Sequence, residues 1–166
     1  LQSHGVAATI KHYACNNQEW ERSGVDTDVD ERTLREIYLP VFRAAVQEAG
    51  VLSVMCSYNR FRGTWLSENA YLQKEILRNE WGFKGTLVTD WGAQHSTVEA
   101  ALGGTDIECN QGYGIRYYQN PWLCWQKFGK VLPREHSTPE TQPLVFAVKD
   151  GKVPAATVDE MATHVL

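Results

Sequence analysis

The sequence predicts an α/β fold of parallel strands with crossover helices, and three observations carry that prediction. Short, largely apolar runs alternate with longer helical patterns along the chain. The first three runs are near-continuously apolar, as strands buried on both faces of a parallel sheet are. Polar and aromatic side chains gather where the runs end, at Lys11-His12, Ser57-Tyr58-Asn59 and Asp90-Trp91. Strand, helix, strand, helix in order implies right-handed crossovers in one sheet. Periodicity alone leaves barrel and open sheet both available. Neither GxGxxG nor GxxxxGKS/T occurs, so the phosphate-cradling α/β folds lose support.

Strands are expected near residues 6–12, 51–58, 85–91 and 106–109. Between the first two, residues 31–49 set Leu34, Ile37, Tyr38, Val41, Ala45 and Ala49 on one stripe at helical spacing. Asp28 and Glu31 fit a capping box at its start, and Gly50 fits its stop. Pro40 lies inside this helix, so a kink or break is expected there. A second helix is expected from Ser67, as N-cap, to near Gly82, with Leu72, Ile76 and Leu77 inward. A third runs from about Gln94 to Leu102, and the last two cover roughly Pro139 to Lys149 and Pro154 to Leu166. Residues 110–137 break the rhythm. They hold Tyr113, Tyr117, Tyr118, Trp122, Trp125 and Phe128 among glycines and prolines. We read them as an aromatic-rich loop insertion after the fourth strand, on the face of the polar strand ends. Loops this long are functional or disordered, and so many aromatics argue against disorder. Two roles stay open: packing within the loop or on a neighbouring domain, or walling the site entrance and stacking on the sugar or aglycone.

The composition is that of a globular domain: 166 residues, 43% hydrophobic and 22% charged. A net charge of −4 argues against a nucleic-acid surface. No apolar run approaches the ~20 residues of a membrane-spanning helix. The chain opens at Leu1 close to a strand-like run and closes on a helical one, so both ends read as cut from a longer polypeptide. Cys15, Cys56, Cys109 and Cys124 match no CxxC pattern. Three disulfide connectivities or four free thiols are all compatible with their spacing.

The strand ends hold the residues that could do chemistry. Neighbouring parallel strands lie ~4.8 Å apart, so three adjacent ends build one compact polar site. Asp90 follows Leu87-Val88-Thr89, where a buried strand surfaces. It suits a carboxylate facing a ligand, or a loop or capping Asp. Lys11 and His12 can donate hydrogen bonds to hydroxyls or to a carboxylate, or be a surface Lys beside a core His. Met55 and Tyr58 end the neighbouring strand; a Tyr hydroxyl beside a carboxylate tunes it, and barrel packing is the plainer role. Asn16-Asn17-Gln18-Glu19 with Arg22 suits a hydrogen-bond network. Asp26, Asp28, Asp30 and Glu31 are most simply a helix N-terminus stabilised by the macrodipole. His4, His95, His136 and His164 have no ligand-like spacing. Neither a metal nor a cofactor is expected.

At these residues the sequence resembles the (β/α)8 barrel domain of glycoside hydrolase family 3, the β-glucosidase and β-xylosidase family. The stretches that carry the resemblance are Ile10 to Glu19, Arg32 to Leu39, Val54 to Asn59, Glu68-Asn69, Leu77 to Gly85, Val88 to Ala93 and Gly104 to Glu108. Their order and spacing are specific where no single piece is. The resemblance covers about residues 5–109 and resumes from about 144 to 166. It implies part of a TIM-type barrel, whose active site lies at the C-terminal ends of the strands. It implies hydrolysis of terminal β-linked glucose or xylose with retention. Asp90 matches the nucleophile, Lys11 and His12 the pair that binds sugar hydroxyls, Met55 and Tyr58 pocket-lining positions, and Trp91 the aromatic beside the nucleophile.

Thr64-Trp65-Leu66-Ser67 departs from a common Thr-Pro-x-Cys, and Cys109 stands where Met is common. Both bear on substrate range. The implied partners are the missing barrel half and an α/β sandwich domain that supplies the acid/base Glu. A non-catalytic carbohydrate-binding half-barrel and a structural remnant are the competing readings. Tyr13-Ala14-Cys15-Asn16-Asn17 after the Lys-His pair disfavours the N-acetylhexosaminidase branch, which carries Pro-Gly-His-Gly there. Family habit suggests secretion or periplasmic export. A half-barrel alone leaves edge strands unpaired, so the isolated chain is expected neither to fold stably nor to hydrolyse glycosides.

Overall fold

A computed structural model describes residues 1–109 and 144–166. The aromatic-rich stretch 110–137 and the expected helix start near Pro139 lie outside the described residues. Three parallel strands form the main sheet: β1 (Thr9–Tyr13), β3 (Ser53–Cys56) and β6 (Thr86–Thr89), in the order β1-β3-β6. Ser53 faces Thr9 on one side and Thr86 on the other; Cys56 faces Tyr13 and Thr89. The β1–β3 register shifts between Ile10 and Tyr13, and the Lys11–His12 and Tyr13–Ala14 peptides are cis. Spatial order follows chain order because each connection is a helical crossover, as in a barrel wall. The segment expected as a fourth strand at 106–109 is reduced to one parallel bridge, Ile107 to Val88.

A second, smaller sheet joins β2 (Asp26–Thr27), β4 (Arg60–Phe61) and β5 (Thr64–Trp65), with β4 parallel to β2 and antiparallel to β5. Arg62 and Gly63 turn the β4–β5 hairpin, both with positive φ, at 50° and 81°. That is the mirror-type turn whose twist matches the strands it joins. The Asp26 carboxylate accepts from Gly63 N at 2.9 Å and fixes the turn to β2.

The first crossover departs from the expected stripe. It is an α-helical turn at Glu31–Thr33, a π-helical segment at Leu34–Tyr38 and an α-helix at Pro40–Gln47. The wide turn is closed by Leu39 N on Leu34 O, just before Pro40. Proline offers no N–H and its ring crowds the carbonyl four residues back; a π turn accommodates both and advances the helical phase by one residue. The buried set is therefore Leu34, Leu39 and Phe42, while Ile37 and Val41 are 71% and 61% exposed. The cap also differs: Asp30, not Asp28, accepts from Thr33 N at 2.7 Å. In the second crossover Ser67 is not the N-cap. It lies in a 3-10 turn at Leu66–Glu68, and Asn69 Oδ1 accepts from Leu72 N at 3.0 Å. The helix itself, Tyr71–Glu80, is π-helical and buries Leu72, Ile76 and Leu77. After β6, the helix expected from Gln94 begins only at Val98 and ends at Gly103.

The main core lies between the sheet and the two crossovers. Tyr13 sits at its centre, fully buried, edge-on to Phe42 and Trp81. Its hydroxyl donates to Leu72 O at 2.8 Å, so a polar group is buried with its bond made. Burial holds this phenol well above its ordinary pKa, uncharged. A smaller core gathers Ala100, Ala101, Leu144, Ala147, Val153 and Met161 under the Leu144–Lys149 and Ala155–Val165 helices. Cys15, Cys56 and Cys109 are free thiols. Burial pushes Cys15 and Cys56 up to about 12. Among the described residues no helix is long and apolar enough to cross a membrane.

Candidate active site

The C-terminal ends of β1, β3 and β6 are tied together before they present any chemistry. Ser57, fully buried, donates to Ala14 O at 3.0 Å and lies 2.7 Å from Asn59 Oδ1. Asn59 in turn donates to Arg60 O and to Thr27 Oγ1. Cys109 N donates to Thr89 Oγ1, and Gly92 N to Cys109 O, which fastens the chain beyond β6. A nucleophile or ligand-binding group needs such rigid support to be held in place.

On this platform His12, Tyr58 and Asp90 come together. Asp90 leaves the end of β6 with its backbone N–H on Cys56 O at 3.3 Å. Its side chain is 12% exposed. Asp90 Oδ1 accepts from Trp91 N at 2.7 Å, and Oδ2 lies 3.1 Å from His12 Nε2. The carboxylate is thus oriented by the N–H just beyond β6 and by the histidine of β1. The Tyr58 hydroxyl donates to Trp91 O at 2.9 Å. Burial, then the Asp90 charge, raise the Tyr58 pKa, so its phenol keeps its proton and its role as donor. Trp91 itself is half exposed, at 49%.

The other expected residues are placed less closely. Lys11 precedes His12 on β1 and is exposed. Among the described residues no hydrogen bond or ion pair joins its side chain to the cluster. Met55 is half-buried on β3 and faces Val88 in register. The sequence grouped Arg22 with Glu19 in a hydrogen-bond network, and the two do bond, at 2.8 Å; what it did not foresee is that the Arg22 guanidinium lies 4.4 Å from the centre of the Tyr58 ring. The available signal was topological: loops that follow parallel strands share one face of the sheet. Among the described residues no cluster of His, Cys, Asp and Glu could hold a metal ion.

Fold and site together define a wall of a parallel β/α barrel with a supported carboxylate at its C-terminal mouth. Residues 1–109 match the glycosyl hydrolase family 3 N-terminal domain, and the chain belongs to that family. It is 45% identical over its whole length to a β-glucosidase of Rhizobium radiobacter, of which it spans 17%. It is 40% identical to β-glucosidase BoGH3A of Bacteroides ovatus and spans 21% of that protein. The structure of β-glucosidase 3B from Thermotoga neapolitana in complex with α-D-glucose superimposes on 99% of this chain and 21% of its own, with a TM-score of 0.79 at 36% identity. The chain thus spans about a fifth of the length of the relatives it matches, and its fold is a fragment of an α/β TIM barrel.

Proposed function

We propose that this chain carries the nucleophile and part of the sugar site of a retaining, exo-acting β-glycosidase of the β-glucosidase type. Its substrate is terminal β-linked glucose or xylose. One observation carries the reading: the Asp90 carboxylate stands at the end of β6, oriented by Trp91 N and His12. A carboxylate fixed by donors on its flanks is held in a single attacking geometry, which removes entropy from the barrier.

In the first step an Asp90 oxygen attacks the anomeric carbon, and the bond to the aglycone oxygen breaks. A second carboxyl, ~5 to 5.5 Å away, gives that oxygen its proton. The same group then takes a proton from water, which cleaves the glycosyl–Asp90 ester and releases the sugar with its configuration retained. Lys11 and His12 donate to sugar hydroxyls, Met55 and Trp91 line the ring, and Tyr58 braces the backbone after the nucleophile. None of Glu19, Glu68 and Glu108 matches the position of the family's acid/base. The acid comes from elsewhere in the polypeptide, as the short span relative to its relatives supports.

The test is covalent trapping of the whole enzyme with a 2-deoxy-2-fluoro-β-glucoside, followed by peptide mapping. A label on Asp90 is expected. A label on a different carboxylate overturns the assignment. Glucose binding with no label favours the non-catalytic carbohydrate-binding reading instead.

A further inference from the structure

The loop after β1 reaches across the strand ends and touches the site at one point. Arg22 lies with its guanidinium carbon 4.4 Å from the Tyr58 ring centroid. It does not lie there freely: Arg22 Nη1 donates to Glu19 Oε2 at 2.8 Å. The turn between them is closed by Arg22 N on Glu19 O and by Gly24 N on Glu21 O. Glu21 adopts φ 52°, a left-handed conformation uncommon outside glycine, so the turn is specified rather than relaxed. Arg22 is half-buried, its side chain 40% exposed. On the far side of the ring system, Tyr58 donates to Trp91 O. A continuous line of contacts therefore runs Glu19, Arg22, Tyr58, Trp91, and ends one residue from Asp90.

We propose that Arg22, held by Glu19, is a positioning residue: it clamps the Tyr58 ring so that the phenol O–H holds the backbone beside the nucleophile. This rests on the glycosidase reading above. The physics favours a clamp over a sugar contact. A cation over an aromatic face withdraws density from the ring and strengthens the O–H as a donor, and its pull is directional. The guanidinium carbon stands over one face of the phenol ring, 4.4 Å from its centre, so it holds the ring from that side. The Trp91 carbonyl needs that donor. Its loss loosens Trp91, whose own N–H, in the preceding peptide unit, is the one on Asp90 Oδ1; the unit that carries the Trp91 carbonyl is also held by Gly92 N on Cys109 O. The clamp thus reaches the nucleophile through one residue, Trp91.

The test is a double-mutant cycle in the whole enzyme, with Arg22→Met, Arg22→Lys, Tyr58→Phe and the Arg22→Met/Tyr58→Phe pair. Two β-glucosides with aglycones of different size are assayed, and each variant is trapped with the 2-fluoro glucoside. Arg22→Met is expected to lower kcat roughly three- to tenfold, the range of one partly desolvated cation–π contact. KM should change less, and the loss should be the same for both aglycones. Arg22→Lys, which keeps a cation, should recover part of the loss. In the Tyr58→Phe background the Arg22 effect should vanish, because the hydroxyl it positions is gone. Additive losses, or a KM effect that follows the aglycone, overturn the clamp and make Arg22 a direct substrate contact or an independent structural residue. The label separates the two levels. If it sits on Asp90 while the cycle is additive, only the clamp fails. If it sits on another residue, the underlying site reading fails.

Discussion

Two buried aspartates in this chain have nearly the same first neighbours and opposite surroundings. Asp90 lies at the C-terminal end of β6, with a backbone N–H on one oxygen and a histidine on the other. Asp106 also meets a backbone N–H, Leu87 N at 2.7 Å, and a histidine, His164 at 2.8 Å. It further meets Arg78 Nη2 at 2.6 Å. Its side chain is 1% exposed against 12% for Asp90. The arginine makes the difference. Asp106 is enclosed and fully engaged, and it binds the second crossover, β6 and the C-terminal helix into one unit. Asp90 keeps an opening toward the mouth of the sheet. What a buried carboxylate does is set by how many of its lone pairs the fold leaves over.

The comparison can be broken most sharply by swapping the consequences of one change. Asp90→Asn should lower glycoside turnover on the order of 10⁴-fold, as loss of an essential group does. The urea midpoint of the whole enzyme should stay within error of the parent, and steady-state kinetics beside an unfolding curve check both halves. Asp106→Asn should do the reverse. It leaves Arg78 buried with its charge uncompensated, a loss of about 3 to 5 kcal/mol. The fraction that remains folded should keep its kcat, which active-site titration measures directly.

A smaller effect tests the packing between the two aspartates. A Cβ on Gly103 would stand 2.7 Å from Glu68 O, a backbone atom that cannot step aside. Gly103→Ala should cost about 1 to 3 kcal/mol, the range of overpacking, and show as a lowered melting temperature. The smallest effect lies on the outer surface. Arg35 bridges Glu31 and Glu80, and Tyr71 donates to Glu31. The Tyr71 bond and Arg35 hold Glu31 below its ordinary 4.5, and Arg35 does the same for Glu80. Lowered carboxyl pKa values add stability above 4.5 that fades as pH falls through the lowered values. All three side chains are more than a third exposed, so the gain is at most about 1 kcal/mol. Glu31→Gln should lower the melting temperature slightly at pH 8, where the stabilisation is complete, and the difference from the parent should fade as pH falls below 4.5.

The parallel sheet was legible in the alternation of short apolar runs with helical patterns, but the expected burial on both faces does not hold: β3 and β6 alternate buried with half-buried residues, and in β1 only Tyr13 is fully buried. The helix phase at 31–49 was not, because a π turn has no signature in a 3.6-residue pattern; only Pro40 hinted at an interruption. The small sheet escaped notice since two-residue strands have no period to detect. His12, Tyr58 and Asp90 stood out by their places at strand ends. Arg22 against Tyr58 could not be read, because that meeting depends on how the loop after β1 folds back, not on any local pattern. The enclosure of Asp106 was hidden for the same reason: Arg78 and His164 are remote from it in sequence and converge only in space.

The order β1-β3-β6 has a consequence for recombination. Each strand bonds only to its neighbour in the chain, and the bridge from Val88 to Ile107 continues the series in the same direction. Among the described residues no strand pairs with the outer edge of β1. Gln2 ties the starts of β1 and β3 together, donating to Gly50 O and accepting from Ala8 N and Leu52 N. A recombination junction between Gln2 and Ala8 breaks these three bonds, and one that keeps Gln2 with β1 and β3 leaves them intact. Chimeras joined there would test aglycone selectivity as a property inherited in blocks.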